Sequence, residues 1–422
     1  MNDFDSKDFF TDESFIPDPH PYFDHLRSQC PVKHTHPRGI VAVTGHAESM
    51  EVLRRATTYS SITAPIGPFA ELPFTPEGDD ITAQVNEHRT EFPLHEWLVT
   101  MDPPQHTETR RLLGGLFTPQ RFRENQEFIE GLAADTLGRF VDTGRCEVLS
   151  AYAKPFALLT IADLLGVPEE DHEVFQVQLG GQLPGAMDED KAFTSNPLEF
   201  LEETFGGYIE DRRRDPQGDV LTALAQATYP DGRTPEVIEL VRLAAFLFGA
   251  GQDTTATVIA AALRIIAENP DLQKRLREER ELVPNFVEEV LRTEGPVKSD
   301  FRLALVSTEL GGVHIDAGTT VNVHPSAANR DPKVFENPHE FRLDRPNAKD
   351  HIAFGRGIHA CPGGPLARVE ARVSIEHWLD RTTDITISEA EHGPVDARRF
   401  TYEPSYTMRA LTELHLEFTP AP

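Results

Sequence analysis

The stretch Phe354-Gly355-Arg356-Gly357-Ile358-His359-Ala360-Cys361-Pro362-Gly363 sets a reactive residue in a glycine-rich loop. A lone cysteine is most often a small buried hydrophobe. Here Gly355, Gly357 and Gly363 allow backbone conformations and close approaches that a Cβ would forbid. Pro362 then starts a helix expected to run through Leu366, Val369 and Val373 to about Trp378. Cys361 would sit at that helix's N-terminus, where free N–H groups and the dipole lower a thiol's pKa. The arrangement suits an anionic sulfur, and a metal ligand or a nucleophile would satisfy it equally.

A second candidate lies in Phe246-Leu247-Phe248-Gly249-Ala250-Gly251-Gln252-Asp253-Thr254-Thr255. It is the middle of Pro235 to Glu268, a helical pattern apolar on nearly all sides and so expected to cross the core. Each Gly there costs about 1 kcal/mol relative to Ala, although small residues can also serve close helix packing. The Thr254 hydroxyl can bond back to the Ala250 carbonyl and bend the helix. The opening would admit water or a small molecule beside Asp253.

The spacing Phe-x-x-Gly-x-x-x-Cys-x-Gly, with His359 two residues before Cys361, resembles the haem-ligand loop of the cytochromes P-450. Gly251-x-Asp253-Thr254-Thr255 is similar to that family's distal helix. The resemblance implies that Cys361 ligates the iron of haem b as a thiolate and favours O–O cleavage. It places Phe354, Gly355, Gly363 and Ala250 against the haem, and Phe246 and Gly249 toward the substrate. Asp253 and Thr254 match the acid–alcohol pair that manages protons during dioxygen activation. Pro362 departs from many members and removes one backbone donor near the sulfur.

Asp102-Pro103-Pro104-Gln105-His106 with Arg110 resembles the family's first propionate-binding helix, Arg302 its next propionate arginine, and His359 the last such contact. Glu289-x-x-Arg292, followed by Asn329 to Pro332 and Phe341 to Arg345, matches a structural charge network. The implied architecture is mainly α with small antiparallel β-sheets, the cytochrome P-450 fold. It would comprise an acidic N-terminal extension, 1–20, and one haem-binding domain, 21–422.

The implied activity is that of a monooxygenase that activates dioxygen and hydroxylates a mostly apolar small molecule of terpenoid, steroid, fatty acid or aromatic class. The substrate would meet the lid Ile62 to Leu98 and Val297, Lys298, Ser299 and Met408. Lys298, Ser299 and Asp300 are more polar than such a pocket wants, so either they point away or Lys298 meets an anionic substrate end. No flavin or iron–sulfur motif occurs, which calls for a ferredoxin and an NAD(P)H-dependent reductase. Docking would use a local basic patch drawn from Arg110, Arg111, Arg121, Arg356, Arg368 and Arg372. Three rivals stay open: a haem-thiolate isomerase or peroxygenase, a haem sensor, and a cysteine hydrolase.

The elements that must position these residues are mostly helical. Pro119 to Asp142, Pro155 to Leu165, Pro197 to Arg214 and Pro270 to Glu279 repeat apolar residues at three- and four-residue spacing. Gly39 to Thr44 and Leu414 to Phe418 read as strands, and Gly312 to Ile315 with Thr319 to Val323 as a hairpin. The 422 residues contain no repeat or low-complexity linker, so one large domain is expected. A net charge of -29 disfavours nucleic acid. The first thirty residues hold no apolar run long enough for a membrane anchor. Three scattered cysteines fit a reducing cytoplasm rather than a disulfide framework. A monomer is expected.

Overall fold

The structure is a computed structural model that describes residues 4–35, 37–69, 71–115, 119–174 and 199–421, without the side chains of 115–124, 169 and 199–202. Its axis is the helix Val237–Glu268, 32 residues and so about 48 Å long. The Glu236 side chain accepts from the third helical N–H, and Glu239 accepts from Glu236 N at 2.7 Å. This capping box, rather than Pro235, sets the start. At the other end Asn269 precedes Pro270 and is pushed out of the helical region, to φ -131° and ψ 87°.

The helices Lys154–Leu165, Glu199–Arg214, Val283–Glu294 and Gly364–Arg381 pack against it and share one apolar core. The expected helix Pro119 to Asp142 stops at Gly138, and a separate tight turn covers Val141–Thr143. Pro197 lies outside the described residues, and that helix is described from Glu199.

Among the described residues ten short strands lie at the periphery: β1 Val32–Thr35, β2 Ile40–Val43, β3 Tyr59–Ser60, β4 Arg145–Glu147, β5 Asp300–Ala304, β6 Thr308–Leu310, β7 Val313–Ile315, β8 Thr320–Val323, β9 Thr382–Ile387 and β10 His415–Pro420. They form sheets β1-β2-β8-β5-β3, β4-β10-β9 and β6-β7. The chain is mainly α with small sheets, and the largest is mixed because β2 and β8 run parallel. The expected hairpin needs correction. β7 turns back on β6 across Gly311-Gly312, both at positive φ, which is what a two-residue hairpin turn demands. β8 instead joins β2 and β5.

The N-terminal extension buries Phe9, Phe10 and Phe15 against Phe301, Ala327 and Tyr406. Glu289 and Arg292 are wholly buried. Arg292 donates to both Glu289 carboxylate oxygens, at 2.7 and 2.8 Å, and Arg345 Nε to Glu289 Oε1 at 2.9 Å. Further Arg292 bonds reach the carbonyls of Asn329, Pro338 and Glu340. Breaking such a pair strands buried charge and costs about 3–5 kcal/mol. Glu289→Ala should lower urea-unfolding stability by about that amount; an unchanged midpoint would contradict the network's role.

Candidate active site

Although the long helix runs through the core, Phe246, Gly249, Asp253 and Thr254 keep partial accessibility and Ala250 is exposed. Their spacing puts them on one stripe of the helix. Thr254 Oγ1 donates to Ala250 O at 2.9 Å, the back-bond anticipated from the sequence. Burial raises the Asp253 carboxyl above its ordinary range; Lys154 pulls it down and Glu403 pushes it further up.

The cysteine loop shows the same sign of an internal space. Cys361 is exposed, yet burial is the largest influence on its thiol and pushes it up. A side chain both deep and accessible lines a cavity. The N–H of Gly363, the Arg110 guanidinium, the N–H of Gly364 and Arg368 pull the other way. The helix begins at Gly364 rather than at Pro362 and runs on to Arg381. A lowered thiol pKa was expected, but burial outweighs the donors. A deeply set thiol of this kind needs a partner that drives its ionisation. It suits a metal ligand, because a coordinating thiol is deprotonated by the metal itself. Two contacts hold the loop. Cys361 N donates to Phe354 O at 2.9 Å. Gly357, at φ +71°, leaves no room for a Cβ, which would fall 2.2 Å from Leu53 O.

The remaining sequence candidates converge beside it. The rings of His106 and His359 lie 4.1 Å apart, and Arg110 Nη2 donates to Ala360 O at 2.5 Å. His106 is buried with neither ring nitrogen partnered, and His359 Nε2 is also unpartnered. Burial, then Arg110, depresses His106 to about 4. Burial, then Arg302, His106 and Arg110, depresses His359 to about 2. Arg302 is paired with Asp300, with one contact at 3.1 Å. Such a pocket calls for anionic acceptors, and two propionates would satisfy its nitrogens and guanidiniums together. Among the described residues no three His, Cys, Asp or Glu side chains are grouped to hold a bare metal ion. An iron at Cys361 therefore needs its other ligands from a tetrapyrrole, and the residues present fit haem.

The Cytochrome P450 family profile matches residues 186–391. The substrate-free cytochrome P450 CYP150A6 of Mycobacterium marinum superposes with a TM-score of 0.93 at 57% identity, over 99% of this chain and 100% of that one. Cytochrome P450 monooxygenase PikC of Streptomyces venezuelae is 31% identical over 89% of this chain and 86% of its own. This chain belongs to the cytochrome P450 family. CYP109E1 of Bacillus megaterium, solved with testosterone, matches with a TM-score of 0.78 at 27% identity, over 95% and 99% of the two chains. The P450 is thus a monooxygenase that uses haem b and depends on a redox partner.

On the substrate side, Val297 bridges to Met408. Lys298 is buried, with Nζ 6.0 Å from the Phe9 ring in the N-terminal aromatic cluster. Ser299 accepts from Asn322 at 3.2 Å within the sheet. These placements favour the reading in which the polar trio points away, and Asp300 is engaged by Arg302. The sequence reading passed over Trp97, whose ring meets Phe246 edge-on at 6.3 Å. A tryptophan near the end of a lid that also carries Phe69, Phe74 and Phe92 was the available signal. Pro362 cannot donate, so Gly363 and Gly364 are the amides on Cys361. One added hydrogen bond is worth about 0.5–1.5 kcal/mol, which is about 20–60 mV for one electron. Pro362→Ala should raise the haem reduction potential of the loaded P450 by that amount; an unmoved potential in spectroelectrochemical titration would remove the proline from sulfur tuning.

Proposed function

We propose that this P450 hydroxylates a mostly apolar small molecule, with Cys361 as the iron ligand and Asp253 and Thr254 as the proton-handling pair. The observation that carries this is an accessible, deeply set cysteine with the Arg110 guanidinium and the unpartnered nitrogens of His106 and His359 Nε2 next to it, together with the accessible stripe on a core helix. His106, Arg110, Arg302 and His359 take the propionates, and Phe354, Gly355, Gly363 and Ala250 border the macrocycle. Residues 21–422 act as one haem-binding domain, with 1–20 as its extension.

Bound there, haem b supplies dioxygen reduction and insertion of one oxygen atom into a C–H bond. Gly363 N–H, Gly364 N–H and Arg110 stabilise negative charge at Cys361 Sγ. Trp97 and Phe246 present an apolar wall that keeps bulk water from the reacting face. Asp253 retains a proton to higher pH than an exposed aspartate does. Thr254 Oγ1, now donating to Ala250 O, is the hydroxyl that can hand a proton on. Val297 and Met408 extend the apolar lining. A terpenoid, steroid, fatty acid or aromatic compound suits it, and the testosterone-bound relative supports the steroid-sized end of that range.

Electrons come from a ferredoxin served by an NAD(P)H-dependent reductase. The docking patch is smaller than the count of arginines implied. Arg110 turns inward, Arg356 donates to the His351 and Gly355 carbonyls, Arg368 pairs with Glu288 and Arg372 with Glu376. Arg111 is exposed, and the Arg121 side chain lies outside the described residues. No helix among the described residues is long and apolar enough to cross a membrane. A monomer in a reducing cytoplasm accords with three unpaired cysteines.

Cys361→Ser should abolish the thiolate band in the reduced carbon monoxide spectrum; an identical spectrum would sink the ligand assignment. Thr254→Ala should divert electrons to peroxide or water, read as product formed per reductant consumed. An unaltered ratio would remove its proton role. Turnover with peroxide alone, and none with NAD(P)H plus ferredoxin and reductase, would favour a peroxygenase.

A further inference from the structure

Residues 4–16 lie on the body of the molecule without joining its sheets. Among the described residues their backbone N–H groups bond only within the segment, as from Lys7 to Phe4 O, Asp12 to Asp8 O and Ile16 to Glu13 O. Side chains hold it down. Phe9 stacks on Tyr22 with centroids 5.6 Å apart and meets His324 edge-on at 5.2 Å. Phe10 meets Tyr406 edge-on at 5.6 Å, Phe69 of the lid at 6.4 Å and Phe301 of β5 at 6.0 Å. Asp8 accepts from Arg38 Nε at 2.9 Å, and that guanidinium covers the Phe69 ring at 4.6 Å. The lid closes on the same tyrosine, since a Cβ at Gly67 would fall 2.8 Å from Tyr406 Oη. The segment thus touches the lid, the stretch 297–301 and the turn that carries Met408. Packing without backbone pairing is the kind that opens locally.

Beneath Phe9 lies a group that works against this docking. Lys298 is 2% exposed, and the bulge at Thr407 O turns its Nζ to within 6.0 Å of the Phe9 ring. An ammonium buried without a counter-ion is strongly disfavoured. Burial, then Arg409 of the C-terminal turn, presses the amine down to about 7, and no carboxylate among the described residues offsets them. The other titratable neighbours are answered or neutral. Asp8 is taken by Arg38 and Asp300 by Arg302. Burial holds His324, behind β8, down to about 4. From the helix His20–Gln29, burial pushes Tyr22 up and His20 down.

We propose that residues 4–16 are a releasable strap over the substrate side, and that the Lys298 ammonium opposes its docking, so that the strap settles as Lys298 gives up a proton to solvent and lifts as the proton returns. The proposal rests on the reading of the lid, Val297 and Met408 as substrate lining. With the strap lifted, water reaches the amine and it holds its proton toward the ordinary 10.5; with the strap down it releases it near 7. Docking is therefore strongest above the higher value, weakens as pH falls between the two, and is weak and flat below about 7.

Hydrogen exchange of the haem-loaded P450 follows the strap without reference to turnover. The protection factor over residues 4–16, already corrected for the intrinsic rise of exchange with pH, should climb by up to about tenfold per pH unit above neutrality. Lys298→Met keeps the length and removes the charge, so protection at pH 7 should rise and its pH dependence should vanish. A lysine that merely packs would behave in the opposite way. Protection that ignores pH, or that drops in Lys298→Met, would overturn the proposal.

Binding of phenylimidazole to the haem iron, read as a Soret shift after rapid mixing, tests access. Its association rate should fall several-fold as pH rises from 7, be slow and flat in Lys298→Met, and be fast in Phe10→Ala, which loosens the strap. Equal rates in all three chains would remove the strap from access. Met408→Trp then separates the causes. If it weakens phenylimidazole binding, the lining reading holds and the gating role is overturned. If it leaves binding unchanged, the lining reading has failed, and the proton-linked strap stands on its exchange data.

Discussion

Charge placed in a low-dielectric core must be answered by opposite charge or by hydrogen bonds, and this requirement organises the molecule around the cysteine. Glu289 meets it within the chain: Arg292 and Arg345 close on both carboxylate oxygens, and leftover donors end on carbonyls. The cluster of His106, His359, Arg110 and Arg302 does not, since both His106 nitrogens and His359 Nε2 are unpartnered and Asp300 answers only Arg302. A complete network shapes a core, and an incomplete one waits for a ligand. Cys361 belongs to the second kind, because backbone donors and nearby guanidiniums favour charge on its sulfur while burial disfavours it.

What the sequence made legible follows from how the chemistry is carried. The cysteine loop, the long helix and the Glu-x-x-Arg helix are short contiguous strings, and local spacing places their side chains. The helix start was off by two residues because Glu236 and Glu239 compete with Pro235 for the cap. The Gly311-Gly312 hairpin was misassigned because one strand can satisfy several pairings, and only the assembled sheet sends β8 to β2 and β5.

Lys298 shows a subtler limit. Its N–H and that of Ser299 both donate to Thr407 O, at 2.7 and 3.3 Å. Two residues opposing one form a bulge, which breaks strict alternation and re-aims side chains. No count along the segment could place the ammonium. Trp97 was missed for a related reason: it gains meaning only from a partner far away in sequence, Phe246.

The long helix exposes the conflict between stability and function most plainly. Gly249 and Gly251 weaken its centre by about 1 kcal/mol each relative to alanine, and Thr254 spends its hydroxyl on a backbone carbonyl. Its C-terminal half offsets that loss. Val258, Ile259, Leu263, Ile265 and Ile266 are all buried, and burying one such side chain contributes about 1.5–3 kcal/mol. The capping box fixes the other end. The helix can thus be locally poor where the groove lies because both ends are over-determined. Local propensity and global fold are expected to disagree at a working site. Here they disagree from Gly249 to Thr255, where the backbone must leave room for something other than protein.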